Sequence, residues 1–284
     1  MSSYTLITPG IGQVLSPAPA IHPDEMELRR ALSDSEFVAF YQPQFSLEKN
    51  IVVAVEVLAR WRHPQRGLLP PGYFLEAIEH YGLLEELFLR LFEQGQIMRR
   101  KLECLNLPLK MSYNLHPRQL NNPILIDAIK VLLKAHECPA QSITFEITET
   151  SPLELTHVVT RNLLQLRATG CGLSMDDYGA GYSSLERLCD IPFNELKLDA
   201  SFVRKLETHA PCKSVITHTV TLADSLGLAL VIEGVETLTQ LNWLKAMGCS
   251  MIQGYVIAPP MDDKELLSFL LENLSGSRVV SASF

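Results

Sequence analysis

Five carboxylates stand inside or at the ends of short apolar runs: Glu56, Glu146, Asp176, Asp177 and Glu233. An isolated ionised carboxylate is costly to bury, so a group of them calls for compensating charge. Arg60 and Lys197 lie in runs of the same kind, too few cations to neutralise five anions. A hard divalent cation makes up the difference, and oxygen ligands select magnesium or manganese over zinc. Asn114, at the end of another apolar run, fits as a neutral oxygen ligand. The adjacent pair Asp176-Asp177 lets one carboxylate bridge two metals while its neighbour takes the second. Two closely spaced metals are the apparatus of in-line phosphoester hydrolysis. Taken singly, each residue has a plainer reading. Glu146 and Glu149 read as surface charge, Asp176-Asp177 as a turn pair and Lys197 as a snorkelling strand-end lysine. Glu233 and Glu236 read as a helix start favoured by the helix dipole. Their succession at strand ends is what favours the joint reading.

The elements that carry these residues alternate. Runs of strand length cover 37–43, 52–61, 110–115, 143–148, 172–177, 195–199, 228–234 and 251–255, and helical periodicity covers 73–81, 84–105, 127–135, 153–168, 213–226 and 237–247. From Asn114 the polar strand-end positions step by 32, 30, 21, 36 and 20 residues, through Glu146, Asp176, Lys197 and Glu233 to Gln253. These are spacings of successive strand–helix units. Eight strands with intervening helices predict an α/β fold, a TIM-like (β/α)8 barrel, with an open doubly wound sheet as the alternative. In a barrel the residues at strand C-terminal ends line the reactive mouth. One link breaks the rhythm: only 46–50 separate the first two runs. A parallel crossover needs about a dozen residues, so the first strand is predicted antiparallel to the second.

A domain is expected over 23–273, opening with a short helix to Leu32, between a Ser-, Thr-, Pro- and Ala-rich tail at 1–22 and a C-terminal tail at 274–284. Hydrophobic residues make up 47% and charged residues 20%, which excludes disordered and fibrous classes. The net charge of −8 lacks the basic footprint of a nucleic-acid polymer or anionic-membrane binder. No apolar run reaches the roughly 18 residues of a membrane span. No secretory leader is evident at the N-terminus, so a cytoplasmic location is expected. The six cysteines form no C-x-x-C pair and read as reduced thiols, and the eight histidines show no H-x-x-x-H spacing. Gly179-Ala180-Gly181 lacks the rest of a dinucleotide fingerprint, and neither a phosphate-binding loop G-x-x-x-x-G-K-[ST] nor a nucleophile elbow is found.

Eight segments in order resemble the EAL-domain phosphodiesterases that linearise cyclic di-GMP. They are Tyr41-Gln42-Pro43, Glu56-Val57-Leu58-Ala59-Arg60-Trp61, Ser112-Tyr113-Asn114-Leu115, Glu146-Ile147-Thr148-Glu149, Asp176-Asp177-Tyr178-Gly179-Ala180-Gly181-Tyr182-Ser183-Ser184-Leu185, Leu196-Lys197-Leu198-Asp199, Glu233-Gly234-Val235-Glu236 and Gln253-Gly254-Tyr255. The family's own fold is a barrel with a reversed first strand. The resemblance implies a first metal on Glu56, Asn114, Glu146 and Asp176, and a second on Asp176, Asp177 and Glu233. Magnesium or manganese is implied, two per site, with calcium inhibitory. It further implies that Lys197 orients the attacking water or, second to that, takes its proton, with Glu56 and Glu233 in the catalytic set. Gln42, Arg60, Glu236, Gln253 and Tyr255 would face the substrate, Arg60 on a phosphate, and Glu149 would anchor the 176–185 loop.

The implied activity is hydrolysis of cyclic di-GMP to linear 5′-pGpG, by a homodimer open to a regulatory protein partner. The alternative is a catalytically silent cyclic di-GMP receptor that signals through a partner. Val57 stands where the signature has alanine, Tyr178 where phenylalanine is usual, and Pro259 where many members carry a cation. None of the three removes an implied ligand, and Val57 is expected to face away from Glu56.

Overall fold

The computed structural model describes residues 23–181 and 184–274. The expected tail at 1–22 lies outside the described residues, as do 275–284 and the Tyr182-Ser183 pair of the loop motif. The described residues form nine strands: β1 (Phe37–Ser46), β2 (Ile51–His63), β3 (Gly67–Leu69), β4 (Lys110–Asn114), β5 (Ile143–Thr148), β6 (Gly172–Tyr178), β7 (Glu195–Leu198), β8 (Ala229–Ile232) and β9 (Met251–Gln253). Eight of them close a barrel in the order β1-β2-β4-β5-β6-β7-β8-β9, with β9 returning to β1. β1 runs antiparallel to both neighbours, Gln42 opposite Glu56 on one side and Gln44 opposite Gln253 on the other. The pairs β2–β4, β4–β5 and β5–β6 are parallel. So are β6–β7, β7–β8 and β8–β9. The short hairpin before Ile51, with Asn50 in the left-handed region at φ 56°, is what reverses the first strand. β3 is an unexpected addition, a short antiparallel flap on the far end of β2.

Strand residues alternate between two faces. One face carries Ser112 and Asn114, Thr144 and Glu146, Ser174 and Asp176, Glu195 and Lys197, all at spacings of two. The other carries Met111, Tyr113, Ile143, Phe145, Leu173, Met175, Leu196 and Leu198, all in the main apolar core. The polar face turns inward, because Lys197 reaches carboxylates on four other strands or their ends. The apolar face turns outward against the helices. Val57, on that outer face, is buried in the same core, as its position next to Glu56 requires.

The helices are α1 (Glu25–Ser33), α2 (Leu75–His80), α3 (Leu84–Cys104), α4 (Pro123–Ala135), α5 (His157–Thr169), α6 (Ser184–Asp190), α7 (Ala200–Arg204), α8 (Ala210–Leu226), α9 (Leu238–Ala246) and α10 (Asp263–Leu274). α5 begins at His157, later than periodicity implies, because the Thr156 side chain caps Val159 N at 3.2 Å. α4 begins earlier than implied, because Asn122 caps Ile124 N at 3.0 Å and Pro123 occupies the first turn. α6 and α7 are too short to give a periodic signal. α10 runs through Leu274, one residue into the stretch expected as a tail. A second apolar cluster, with Trp61, Phe37 and Phe74 at its centre, seals α1 and α2 against the β1–β2 end.

Candidate active site

Lys197 is fully buried, and its ammonium lies 2.7 Å from Glu233 Oε1, 2.8 Å from Glu146 Oε2, 3.1 Å from Asp176 Oδ1 and 3.3 Å from Glu56 Oε2. β7 carries the lysine up the barrel axis, while β2, β5 and β6 and the residue after β8 supply the carboxylates. An ammonium has three protons for four such partners. Among the described residues, Glu146 Oε1 is buried without a hydrogen-bond partner, and Asp176 Oδ1 has the Lys197 ion pair but no geometrically formed hydrogen bond. Oxygen atoms of Asp176, Asp177 and Glu233 also lie within 4.8 Å of one another. Carboxylate oxygens converging in this way, with too few protons from one ammonium to serve them all, fit a divalent cation of the oxygen-loving kind.

Neighbouring side chains fix the orientation of Glu56. Asn114 Nδ2 donates to Glu56 Oε1 at 2.7 Å, and Gln253 Nε2 donates to Glu56 Oε2 at 2.6 Å. The amide that donates through Nδ2 leaves the Asn114 oxygen free as an acceptor. Gln253 Nε2 also lies 3.1 Å from Gln42 Oε1, and Gln44 Nε2 donates to Gln253 Oε1 at 3.0 Å. Gln44 is absent from the sequence-predicted set, although its spacing of two from Gln42 puts it on the same strand face.

Asp177 shows how both members of the aspartate pair reach one mouth. Adjacent residues of a regular strand point to opposite faces. Asp177 has φ 57°, a left-handed conformation that turns its carboxylate back toward Asp176. Such a conformation in a non-glycine residue persists only when its surroundings enforce it. Thr148 Oγ1 donates to Asp177 Oδ2 at 3.1 Å, and Gly179, at φ 91°, continues the turn. A side chain at Gly179 would meet the Phe202 ring at 2.7 Å. Gly179 N donates to the buried Glu149 at 2.8 Å, the contact that ties Glu149 to this loop.

Glu146 and Glu233 both feel the Glu56 charge, so their protonation is linked to it. Burial pushes Glu146 well above the usual carboxylate range, and the Glu56 charge adds to it. For Glu56 burial is outweighed by Lys197 and by the donors Gln253 and Asn114, so its pKa falls. Burial lifts Glu233 to about 8, against the pull of Lys197. Burial and the Asp176 charge raise Asp177. Burial opposes the charge on Lys197, but Asp176, Glu146, Glu233 and Glu56 overcome it and raise the ammonium pKa well above its ordinary value. Lys197 is therefore held protonated in the metal-free protein, the opposite of what a general base at this position would need.

The remaining sequence-predicted residues lie outside this cluster. Arg60 sits higher on β2, where Nη1 donates to Ala59 O at 2.7 Å and its guanidinium lies 5.6 Å from the centre of the Phe40 ring. Tyr255 is exposed and Glu236 is exposed at the start of α9. A cavity of about 550 Å³ opens beside the carboxylates, bounded by Leu58, Leu75, Leu84, Asn114 and Asp177. A larger one, about 770 Å³, lies outside the barrel wall among Phe45, Val52, Leu107, Phe269 and Leu270, and holds none of the carboxylates.

Residues 25–260 match the model of the EAL domain. The chain is 45% identical, over 247 residues, to the cyclic di-GMP phosphodiesterase RocR of Pseudomonas aeruginosa, covering 87% of this chain and 63% of RocR. It is 33% identical over 243 residues to the bifunctional diguanylate cyclase/cyclic di-GMP phosphodiesterase MucR of the same organism, 85% of this chain and 36% of MucR. Its fold superimposes on the solved PaMucR phosphodiesterase–c-di-GMP complex with a TM-score of 0.79 at 33% identity, covering 85% of this chain and 98% of that one. The EAL enzyme Bd1971, solved with cAMP and cyclic di-GMP, gives a TM-score of 0.81 at 27% identity, covering 87% and 68%. The chain thus spans less than two thirds of the length of RocR and MucR.

Proposed function

The chain belongs to the EAL domain family, and from that premise we propose that it hydrolyses cyclic di-GMP to linear 5′-pGpG. The observation that carries the reading is the ring of Glu56, Glu146, Asp176 and Glu233 around the Lys197 ammonium, beside the oxygens of Asp177. The 45% identity to a named cyclic di-GMP phosphodiesterase supports the choice of substrate.

Glu56, Asn114, Glu146 and Asp176 would hold one divalent cation, and Asp176, Asp177 and Glu233 a second. Magnesium or manganese, when bound, polarises the phosphoester and lowers the pKa of water. The chain's own residues do the rest. Lys197 keeps its proton and orients the attacking water toward phosphorus. Gln253, braced by Gln44, holds Glu56 in place. Arg60, on the rim, meets the second phosphate, and Gln42, Glu236 and Tyr255 complete the substrate contacts. Water attacks phosphorus in line and gives up a proton to the surrounding solvent, the bond to the ribose 3′ oxygen breaks, and that oxygen takes up a proton in turn, so that one water is added across the P–O bond.

The reading includes a homodimer and a regulatory protein partner. It places the reaction in the cytoplasm, a reducing compartment that suits six free cysteines. No described helix is long and apolar enough to cross a membrane.

The test is incubation with cyclic di-GMP in magnesium, manganese, calcium or EDTA, with products separated by chromatography. Conversion to pGpG with magnesium or manganese, stopped by EDTA and by calcium, is expected. Calcium's larger radius and looser geometry spoil a shared bridge. Tight binding without conversion in any metal overturns the enzyme reading in favour of a silent receptor.

A further inference from the structure

Arg187, on α6, reaches across to the chain leaving β5. Its Nη1 donates to Glu149 O at 3.0 Å and lies 3.4 Å from Thr148 O, and its Nη2 donates to Ser151 O at 3.0 Å. Its described side-chain acceptors are thus main-chain carbonyls, of the last residue of β5, Thr148, and of Glu149 and Ser151 beyond it. Those of Glu149 and Ser151 have left the sheet, and an unpaired main-chain group away from water is costly. A guanidinium, with its planar fork of donors, can engage several at once.

The segment so fixed is the one that shapes the aspartate turn. Thr148 Oγ1 donates to Asp177 Oδ2 at 3.1 Å, Glu149 N donates to Asp176 O at 2.9 Å, and Glu149 accepts from Gly179 N at 2.8 Å. These three bonds hold Asp177 at φ 57°, the conformation that turns its carboxylate toward the other oxygens. We propose that Arg187 is a positioning residue for Asp177: a clasp from α6 that keeps the 148–151 segment, and through it the aspartate turn, in a metal-ready shape. The metal half of this inference rests on the reading of Asp177 as a ligand.

A consequence is linkage. If α6 holds the turn for metal, metal holds α6 in return by the same factor. Lysine carries one compact charge and cannot replace the fork.

The experiment uses the full chain and two readouts that need no turnover. The first is hydrogen exchange of peptides spanning 176–179 in the metal-free protein. The second is manganese binding followed by electron paramagnetic resonance. Arg187→Ala is expected to speed exchange at 176–179 and raise the manganese Kd about 10-fold, in the range seen when groups supporting a metal ligand are lost. Arg187→Lys should fall between it and the parent. Glu149→Ala should resemble Arg187→Ala, and the double variant should be no weaker than the worse single one, as for residues acting as one unit. A folded Arg187→Ala with Kd within 2-fold of the parent overturns the clasp, even if its melting temperature falls. Should the parent bind no manganese, the metal reading fails. Exchange at 176–179 then still decides the clasp, and unchanged exchange in both Arg187 variants overturns it.

Discussion

Replacing Lys197 by methionine keeps an unbranched side chain and removes the charge at the centre of four carboxylates. In the metal-free protein each of the four lies 2.7–3.3 Å from the ammonium. Removing one partner of a buried ion pair costs about 3–5 kcal/mol, because it strands the other charge. At pH 8, where fewer of the four carboxylates hold a proton, the stranded charge puts the variant near the top of that range. At roughly 3 °C per kcal/mol for a chain of this size, the melting temperature falls by about 10–15 °C. The sign of the pH dependence follows from the shifts. Glu233 is raised to about 8 and Glu146 is raised well above its ordinary value, while Lys197 holds both down. A carboxylate with a raised folded pKa stabilises the fold below its unfolded pKa, and that contribution is lost as pH rises through the folded value. Without Lys197 both carboxylates take up protons more readily, so the deficit is small at pH 6 and large at pH 8. Manganese supplies the missing charge and closes the gap at pH 8 by binding only the folded state. The assay is calorimetric melting of parent and Lys197→Met at pH 6 and 8, with EDTA or manganese. A deficit equal at both pH values and untouched by manganese would refute the charge argument and reduce Lys197 to a packing residue.

Glu56→Ala removes a carboxylate on which Asn114, Gln253 and Lys197 all converge, and turnover by chromatographic assay is expected to fall more than about 100-fold while the circular dichroism spectrum is retained. Manganese affinity, measured by titration calorimetry, should rise with pH between 6 and 8 with proton release, because metal must displace the proton that Glu233 holds up to about 8; pH-independent affinity contradicts it. Asp177→Asn and Asp177→Ala separate charge from backbone strain at φ 57°. Both should weaken manganese binding, but alanine should also cost about 1–2 kcal/mol in urea unfolding, since only asparagine tolerates the left-handed region.

The parts of the site that were legible share one property: their residue type conflicts with its surroundings. A glutamate in Ala54-Val55-Glu56-Val57-Leu58, or a lysine between Leu196 and Leu198, stands out against an apolar run. The reversed first strand was legible because the length of a connection limits what it can join. Gln44, Thr148 and Arg187 were not legible. Each acts through a partner brought close by the fold: Gln253 is 209 positions from Gln44, Asp177 is 29 from Thr148, and Glu149 is 38 from Arg187. The shared orientation of Asp176 and Asp177 was also hidden, since strand alternation alone separates them. Only the left-handed turn reconciles the pair, and the bonds that enforce it come from Thr148 at the end of β5 and Glu149 just after it.

The barrel also explains why so much charge is tolerated inside it. A closed ring of eight strands offers two surfaces, and here the apolar one faces out. Met111, Phe145, Leu173, Leu196 and Ile232 pack with the helices in the main core and stabilise the fold without the interior. The inner face is then free to carry Ser112, Thr144 and Ser174 beneath Asn114, Glu146 and Asp176. Its metal-free balance is struck between one permanent cation and carboxylates that keep protons above their ordinary range. Glu56 stays ionised because three donors converge on it, whereas Glu146 keeps an unpartnered oxygen and is pushed toward the neutral form. Environments that separate the pKa values of like groups assign them different parts in the chemistry. On the proposed two-metal reading, that division would make Glu56 the ready ligand and leave Glu146 and Glu233 to give up their protons as metal enters.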